Sequence, residues 1–268
     1  MLILLPPSEG KTAPAAGEPV DPAGLWLPRL APARKRVLAK LIAHCKRTSA
    51  RSVAESLQTL GLTPGQHAEI TRNAGLATAP AAPAAQVYSG VLYEALDAGT
   101  LAPPAREWVE ERAVVFSGLW GVVRLTDRIP AYRCSVGVAL PVIGGLTPYW
   151  KKVLSPALDR AAADGPVLDL RSGAYGAMWA PTGAVAGRTA ALRVLHERIV
   201  DGEPRRSVVS HFNKATKGRL VRSLAAADVR PGSVDELLAA LRDLKYTVEE
   251  RPAVTGRPRQ VDVVVREL

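Results

Sequence analysis

Four cations follow a short apolar run in the segment at residues 208–222, and their side chains could bind an anion. At helical spacing Lys214 and Lys217 are i,i+3 neighbours, as are Arg219 and Arg222, so each pair projects to one side of a helix. Cations presented in this way can neutralise phosphate groups. The alternative is a solvated basic helix face. We predict that the apolar run is a strand and that the cations lie in the turn and helix after it.

A second polar group lies at residues 116–133, where two glycines permit turns and Trp120 offers an aromatic surface. Its polar members are Ser117, Arg124, Asp127, Tyr132 and Arg133. Asp127 could orient one arginine by a bidentate ion pair and leave the second free for a phosphate or carboxylate ligand. The alternative is an internal ion pair that pins a loop. A serine hydrolase is disfavoured, because the Ser-Gly pair lacks the G-x-S-x-G elbow.

Lys11 follows an apolar first strand as part of a Gly-Lys-Thr sequence that looks like the end of a phosphate-binding P-loop. The first glycine of that motif would fall at Leu5, and Pro14 prevents the helix that should hold the phosphates. A Walker-type NTPase is therefore excluded. Two interpretations of Lys11 stay open, an anion contact at the end of the strand and a solvated loop lysine.

Three helices are predicted within residues 32–76. The first has apolar residues on one side and Arg34 with several lysines on the other. The third begins at a capping box formed by Thr63 and Gln66. Gly61 lies between two leucines where the second helix meets the third. Such a turn contacts a DNA phosphate in helix-hairpin-helix modules, and it is also a common helix C-cap.

Strands and helices alternate along the chain, which predicts a mixed α/β (α+β) fold. Apolar or alternating runs predict strands at 2–5, 86–90, 113–118, 167–170, 189–195, 246–249 and 260–265. Further helices are predicted at 147–163 and 233–244, the second with a capping box of Ser233 and Glu236. An alanine- and proline-rich run at 77–85 is typical of a linker. We expect one domain over residues 1–268 with a helical sub-region at about 32–76.

The composition narrows the class of protein. The 268 residues include 35 Lys and Arg against 25 Asp and Glu, a formal charge of +10, and 47% of them are hydrophobic. No apolar run approaches the ~20 residues of a membrane span, and the first residues lack the positive n-region of a signal peptide, so we expect a cytoplasmic protein with no membrane partner. Two distant cysteines and four scattered histidines predict neither a disulfide framework nor a metal site.

Several of these motifs occur together, in order, from residue 1 to about 225. They are Leu-Ile-Leu-Leu-Pro-Pro-Ser at 2–8 with Lys11 and Thr12, Val-Tyr-Ser-Gly at 87–90, Ser-Gly-Leu-Trp-Gly at 117–121, Arg124 with Asp127, Pro130 with Tyr132 and Arg133, Tyr149 with Trp150, Asp-Leu-Arg-Ser at 169–172 with Tyr175, and Ser210 with Lys214 and Lys-Gly-Arg at 217–219. In this set the chain resembles the bacterial YaaA family, also called UPF0246 or DUF328.

The resemblance implies a cytoplasmic peroxide-stress protein with a single mixed α/β fold, a positively charged cleft and a helix-hairpin-helix element. It implies a protein that binds DNA, limits damage by iron and peroxide, and has no settled catalytic activity. By motif match, the residues that line or flank the cleft would be Lys11, Arg124, Tyr132, Arg133, Ser172, Tyr175, Lys214, Lys217 and Arg219. The insertion at residues 7–10 and the C-terminal tail from Lys245 depart from the usual pattern of the family.

Two functions from different classes fit these residues. The favoured one is DNA binding without strong sequence preference, in which Arg222 and the Gly61 turn join the cleft residues. The alternative is an enzyme or binding protein for a nucleotide, a nucleobase or a related small anion; as an enzyme it would use Lys11, Tyr132, Arg133, Ser172 and Lys214. Neither requires a cofactor or a metal, and the sequence does not indicate an oligomeric state. A deep pocket favours the small ligand, whereas an open groove that reaches Gly61 favours DNA.

Overall fold

An apolar sheet forms the centre of the computed structural model, which describes residues 1–162, 164–200 and 203–266. The strands are β1 (Leu2–Leu5), β2 (Ala82–Pro83), β3 (Ala113–Ser117), β4 (Gly121–Arg124), β5 (Arg128–Ile129), β6 (Ala139–Leu140), β7 (Gly144–Gly145), β8 (Val167–Asp169), β9 (Thr189–Val200), β10 (Glu203–Ser207), β11 (Thr247–Glu250) and β12 (Arg259–Val265). The helices are α1 (Ala31–Cys45), α2 (Ala50–Leu60), α3 (His67–Ala74), α4 (Ala84–Val87), α5 (Val91–Leu96), α6 (Pro103–Arg112), α7 (Leu146–Ala161), α8 (Gly173–Gly176), α9 (Gly183–Gly187), α10 (Ser210–Ala226) and α11 (Val234–Asp243). The predicted mixed α/β class is thus confirmed.

The main sheet is mostly parallel and reverses its direction of growth at β1. In the described part of the chain its order is β11-β12-β9-β8-β1-β3-β4, with β10 paired to β9. β1 runs parallel to β3 on one side and to β8 on the other. All four residues of β1 are buried, as expected for a central parallel strand covered on both faces. Because the chain passes to opposite sides of β1, a crevice is expected where β1 and β8 end.

The predicted helices at 32–76 are present as α1, α2 and α3. The capping box at Thr63 forms, although it opens a 3-10 turn at Pro64–Gln66 before α3 begins. Gly61 adopts the left-handed conformation, with φ of 63°, that terminates α2. The N–H groups of Gly61 and Leu62 donate to carbonyl oxygens of α2, so the turn is built as a helix cap.

Arg34 does not lie on a solvated face of α1, where the sequence placed it. Its side chain is fully buried, and its guanidinium donates to the carbonyl oxygens of Trp120 at 3.1 Å, Trp26 at 2.6 Å and Val122 at 2.7 Å. Burial lowers the pKa of this group to about 10. Arg34 therefore fixes α1 to β4 and to the loop before α1. The helical pattern alone did not reveal this role, because the acceptors come from distant parts of the chain.

Three local predictions were wrong. Residues 86–90 do not form a strand: the chain is helical to Val87, and Tyr88 makes only an isolated bridge to Lys11. The run at 77–85 is not a free linker, because β2 pairs with β5 and Ala84 is fully buried. The strand expected at Val208 ends one residue earlier with β10, and the cations that follow all lie within α10.

The other elements follow the predictions closely. Ser233 caps α11 by accepting from the N–H of Glu236, whereas the Glu236 carboxylate accepts from Gly232. The expected final hairpin is present as β11 and β12. α7 ends at Ala161, so the last residue of the helix predicted there, at 163, lies outside the described residues. Among the helices that the structure describes, none has the combined length and apolarity needed to cross a bilayer.

α10 packs against α5 at Gly218, where the two backbones approach closely. A methyl group on Gly218 would overlap the carbonyl oxygen of Leu92 and would lie 2.8 Å from the backbone nitrogen of Leu96. Only glycine fits this approach without moving one of the helices. The position of α10, and of its lysines, thus depends on this residue.

We predict that Gly218→Ala lowers the free energy of unfolding by about 3 kcal/mol, because the added methyl group forces α10 away from α5. The sign of the change in the free energy of unfolding identifies the cause, because alanine in an unconstrained helix interior stabilises a protein by about 1 kcal/mol relative to glycine. Urea unfolding measures the change. Gly187→Ala in α9 is the control, because a methyl group there has no neighbour within 4 Å. Equal stability of the two variants would contradict the prediction.

Candidate ligand-binding site

A cavity of about 640 Å³ lies at the carboxyl ends of β1 and β8. The loop after β1, the turn after β8, the start of α5 and the first part of α10 surround it, and β9 continues along one side. Its lining residues are Pro6, Pro7, Ser8, Glu9, Gly10, Ser89, Gly90, Val91, Leu92, Tyr93, Arg171, Ser172, Gly173, Tyr175, Leu192, Arg193, Val208, Asn213, Lys214 and Lys217. We call it the switch-point cavity.

Two lysines of α10 face the switch-point cavity from positions one helical turn apart. Lys214 is exposed, whereas Lys217 is buried. The Nζ of Lys217 donates to the carbonyl oxygen of Leu170, at the end of β8, over 2.8 Å. Burial lowers the pKa of Lys217 to about 8, an effect that the nearby Asp169 carboxylate only partly opposes. Lys217 is therefore a weaker base than a solvated lysine.

Arg171 shapes the wall formed by the turn after β8. Its guanidinium makes two hydrogen bonds to the Asp169 carboxylate, at 2.9 and 2.6 Å, and also donates to the carbonyl oxygens of Tyr175 and Trp179. It lies 4.3 Å from the centre of the Phe116 ring. These contacts hold the chain from Ser172 onward against the cavity. Arg171 is thus a structural cation whose charge is already balanced.

Lys11 lies next to the cavity and is not among its lining residues. Its Nζ donates to the carbonyl oxygen of Ser8 over 2.7 Å and sits 4.3 Å from the centre of the Tyr132 ring. Burial lowers the pKa of Lys11 to about 8; the Glu9 carboxylate partly opposes this shift, and the Arg133 guanidinium adds to it. The Lys11 amine is partly buried and bound to the loop, so it is not the solvated loop lysine of one interpretation, whereas an anion contact by Lys11 stays a prediction. Lys11 supports the loop that forms part of the wall.

Tyr132 belongs to a buried chain of hydroxyl groups rather than to the cavity wall. Its hydroxyl lies 2.9 Å from that of Tyr88 and 2.7 Å from Ser117 Oγ, and the backbone N–H of Trp120 donates to the same serine oxygen. Burial raises the pKa of Tyr132 well above its usual value and that of Tyr88 to about 12. These hydroxyls consequently stay protonated and support β3. Trp120, expected as an aromatic surface, is fully buried.

The predicted ion pair of Asp127 with an arginine does not form. The Asp127 carboxylate accepts hydrogen bonds from the backbone N–H groups of Trp26 and Arg124, at 3.0 and 2.9 Å. The Arg124 guanidinium lies 5.2 Å from the centre of the Trp26 ring. Arg133 instead pairs with Glu9 over 3.2 Å. Neither arginine lines the switch-point cavity, and only Arg133 contacts a residue that does.

The remaining predicted cations separate in the structure. Arg219 is exposed on α10, outside the cavity lining. Arg222 points to the end of α5, where it donates to the carbonyl oxygens of Leu96 and Asp97. The structure therefore brings together only Ser172, Tyr175, Lys214 and Lys217 of the predicted site, and the Gly61 turn does not contribute to the lining.

Sequence reasoning missed several lining residues, among them Ser8, Glu9, Tyr93, Asn213 and Arg193. The insertion at residues 7–10, which departs from the family pattern, supplies part of the cavity wall. The Ser8 hydroxyl accepts from the N–H of Ser89 at 3.2 Å, which ties this insertion to the start of α5. Within the residues that the structure describes, no group of three or more His, Cys, Asp and Glu is placed to hold a metal ion.

Comparison with known proteins assigns the family. The sequence profile of the peroxide stress protein YaaA family matches residues 1–251. A UPF0246 protein of Streptomyces coelicolor is 51% identical over 100% of both chains. UPF0246 proteins of Corynebacterium efficiens and Corynebacterium glutamicum are 40% and 39% identical, covering 99% and 94% of this chain and 100% and 96% of their own lengths. The chain therefore belongs to the peroxide stress protein YaaA family.

Proposed function

We propose that this protein takes part in the peroxide-stress response by binding an anionic nucleotide in the switch-point cavity. The observation that carries the proposal is the pair Lys214 and Lys217, which face a cavity at the point where ligands bind in open α/β sheets. The volume of about 640 Å³ lies within the range of small-molecule sites. A cavity of this size holds one nucleotide and does not admit a double helix.

The charges of the lining residues support an anionic ligand. Arg171 is balanced by Asp169, Arg193 makes two hydrogen bonds of 2.8 Å to Asp262, and Glu9 is balanced by Arg133. No carboxylate in the described part of the chain forms an ion pair with Lys214 or Lys217. The two lysines are thus cations of the wall without a carboxylate ion-pair partner in the described part of the chain, and a phosphate group would pair with them.

Tyr93 and Tyr175 give the same cavity aromatic side chains. The Tyr93 hydroxyl donates to the carbonyl oxygen of Pro6 over 2.7 Å, which fixes its position. Burial raises the pKa of both tyrosines, so both stay neutral near physiological pH. Aromatic rings beside a cationic rim suit a nucleobase attached to a phosphate, because the rings stack on the base and the cations pair with the phosphate.

We predict that adenosine and deoxyadenosine 5′-monophosphate bind at least tenfold more tightly than adenosine, as measured by isothermal titration calorimetry. Lys214→Gln should weaken the phosphate-bearing ligands about tenfold, because it removes one charge-assisted hydrogen bond of about 1.5 kcal/mol. Arg219→Gln is the matched control, since it removes a cation from the same helix outside the cavity. An equal loss of nucleotide affinity in the two variants would show that the effect comes from the overall positive charge of the helix. That result would overturn the assignment of the ligand to the cavity.

We predict that nucleotide affinity falls as the pH rises through about 8, where Lys217 loses its proton in the free protein. Well above this pH the affinity should fall by about tenfold per pH unit, because the anion binds to the charged form of the lysine. The phosphate does not titrate in this window, since its second pKa is about 6. Neither Tyr93 nor Tyr175 ionises there, because burial raises the pKa of each.

Lys217→Arg tests whether Lys217 causes the pH dependence. Arginine stays charged throughout the window, so this variant should bind the nucleotide with nearly constant affinity from pH 7 to about 9. Thermal unfolding checks that the larger side chain is tolerated. If the variant shows the same decline as the wild type, another group, such as Lys11, is the one that titrates.

DNA binding is a second candidate, favoured by the exposed cations of α10 and the formal charge of +10. Of the four cations predicted in residues 208–222, Lys217 is buried and Arg222 is bound to carbonyl oxygens. Lys214 and Arg219 are the two that can reach a phosphate backbone. The N–H groups of Gly61 and Leu62 are used within the helix cap. The proposed DNA surface is therefore α10 itself.

We predict for this second candidate that Lys214→Gln/Arg219→Gln weakens duplex DNA equally for all sequences and reduces the slope of log affinity against log salt by about 2. Fluorescence anisotropy with labelled duplexes measures both quantities. Lys151→Gln/Lys152→Gln removes the same charge from α7 and should change the slope less. An identical change in both double variants would remove α10 from the interface.

A further inference from the structure

We propose that Lys217 forms an imine with the aldehyde of a sugar phosphate bound in the switch-point cavity. This inference rests on the proposed function and extends it to a second ligand of the same cavity, because a pentose 5-phosphate is the sugar-phosphate part of a nucleotide. The reasons are the position of the amine, its electrostatic surroundings and the second lysine one turn away.

The amine of Lys217 is held at the inner wall of the cavity. Gly218 fixes α10 against α5, and the hydrogen bond to Leu170 fixes the end of the side chain against β8. A restrained amine loses less conformational freedom when it reacts than a solvated lysine does. Lys217 as a whole residue is 7% exposed, so a ligand reaches the amine through the cavity.

The surroundings of Lys217 make its amine easier to deprotonate than that of a solvated lysine. The carboxylate that acts on Lys217, that of Asp169, is already engaged by two hydrogen bonds from Arg171. One carbonyl oxygen is a weak substitute for a carboxylate partner, and burial penalises the ammonium ion. A neutral amine with one N–H bound to Leu170 keeps its nitrogen lone pair free for a carbonyl carbon. Desolvated lysines of this kind are the ones that act as amine nucleophiles.

The other two lysines near the cavity are placed differently. The Nζ of Lys11 is bound to the Ser8 carbonyl and lies over the Tyr132 ring, behind the lining residues. Lys214 is exposed at the rim and has no such restraining contacts among the described residues. Lys214 can therefore hold the phosphate while Lys217, one turn along the helix, meets the aldehyde.

The step balances without an added reagent. The Lys217 nitrogen attacks the carbonyl carbon, and the carbon–oxygen π bond opens to give a carbinolamine. Loss of the former carbonyl oxygen with the two hydrogens of the amine releases one water molecule and leaves a carbon–nitrogen double bond. No electron is gained or lost, so neither an oxidant nor a reductant takes part.

The test incubates the full-length protein with 2-deoxyribose 5-phosphate and sodium cyanoborohydride, which reduces an imine to a stable amine, and maps the adduct by peptide mass spectrometry. We expect Lys217 to be modified at least tenfold faster than any other lysine, and adenosine monophosphate to compete. Deoxyribose without phosphate should react at least tenfold more slowly, because it lacks the group that Lys214 binds. Lys214→Gln should slow the reaction by a similar factor and leave its position unchanged.

Modification spread evenly over the lysines, or centred on Lys214 or Lys11, would overturn the proposal. The adduct is mapped in the wild-type protein, so the test remains valid even if a Lys217→Arg variant fails to fold. Nucleotide binding without an adduct at Lys217 would refute the imine alone and leave the proposed function in place. An adduct at Lys217 without any nucleotide binding would refute the nucleotide proposal and keep the reactive amine.

Discussion

The two parallel neighbours of β1 are the constraint on which the site depends. β3 and β8 pair with opposite edges of the same buried strand, so the connections that follow β1 and β8 lead away from each other. Their departure leaves space at the carboxyl ends of the strands, and α5 and α10 enclose that space. The close approach at Gly218 then sets how near α10 lies to the strand ends. The strand order therefore creates the cavity, and Gly218 sets how closely α10 covers it.

The buried cations of this protein fall into two groups that differ in how their charge is balanced. Arg34 and Arg171 each donate several hydrogen bonds, to carbonyl oxygens or to a carboxylate. Those of Arg34 connect segments far apart in the chain, and those of Arg171 hold the turn after β8. A guanidinium satisfied in this way is structural, because its removal leaves several acceptors unpaired. Lys11 and Lys217 have fewer partners, and burial lowers the pKa of each to about 8. Of these two, Lys217 faces the cavity.

The sequence predicted the features that depend on neighbouring residues. The apolar run of β1 and the caps at Thr63 and Ser233 were correctly placed, because burial of a strand and capping of a helix are local properties. The partners of Asp127 and Tyr132 were not predictable in this way, since the groups they bind include Trp26 and Tyr88, which lie far away in the chain. A polar residue in a dense motif looks the same whether it binds a ligand or satisfies a buried neighbour. Only tertiary contacts separate the two cases.

α10 shows how one helix can present different chemistry from two positions with the same residue type. The i,i+3 spacing of Lys214 and Lys217 was visible in the sequence, whereas their difference in burial was not. The helix passes the mouth of the cavity at Lys214 and reaches the end of β8 at Lys217, where the carbonyl oxygen of Leu170 receives the side chain. Solvent keeps the outer lysine available for an anion, and desolvation makes the inner one a weaker base. An elongated ligand with an anionic end and an electrophilic end would match this difference between the two lysines. A phosphate backbone lying on the outside of the helix would contact only the outer lysine.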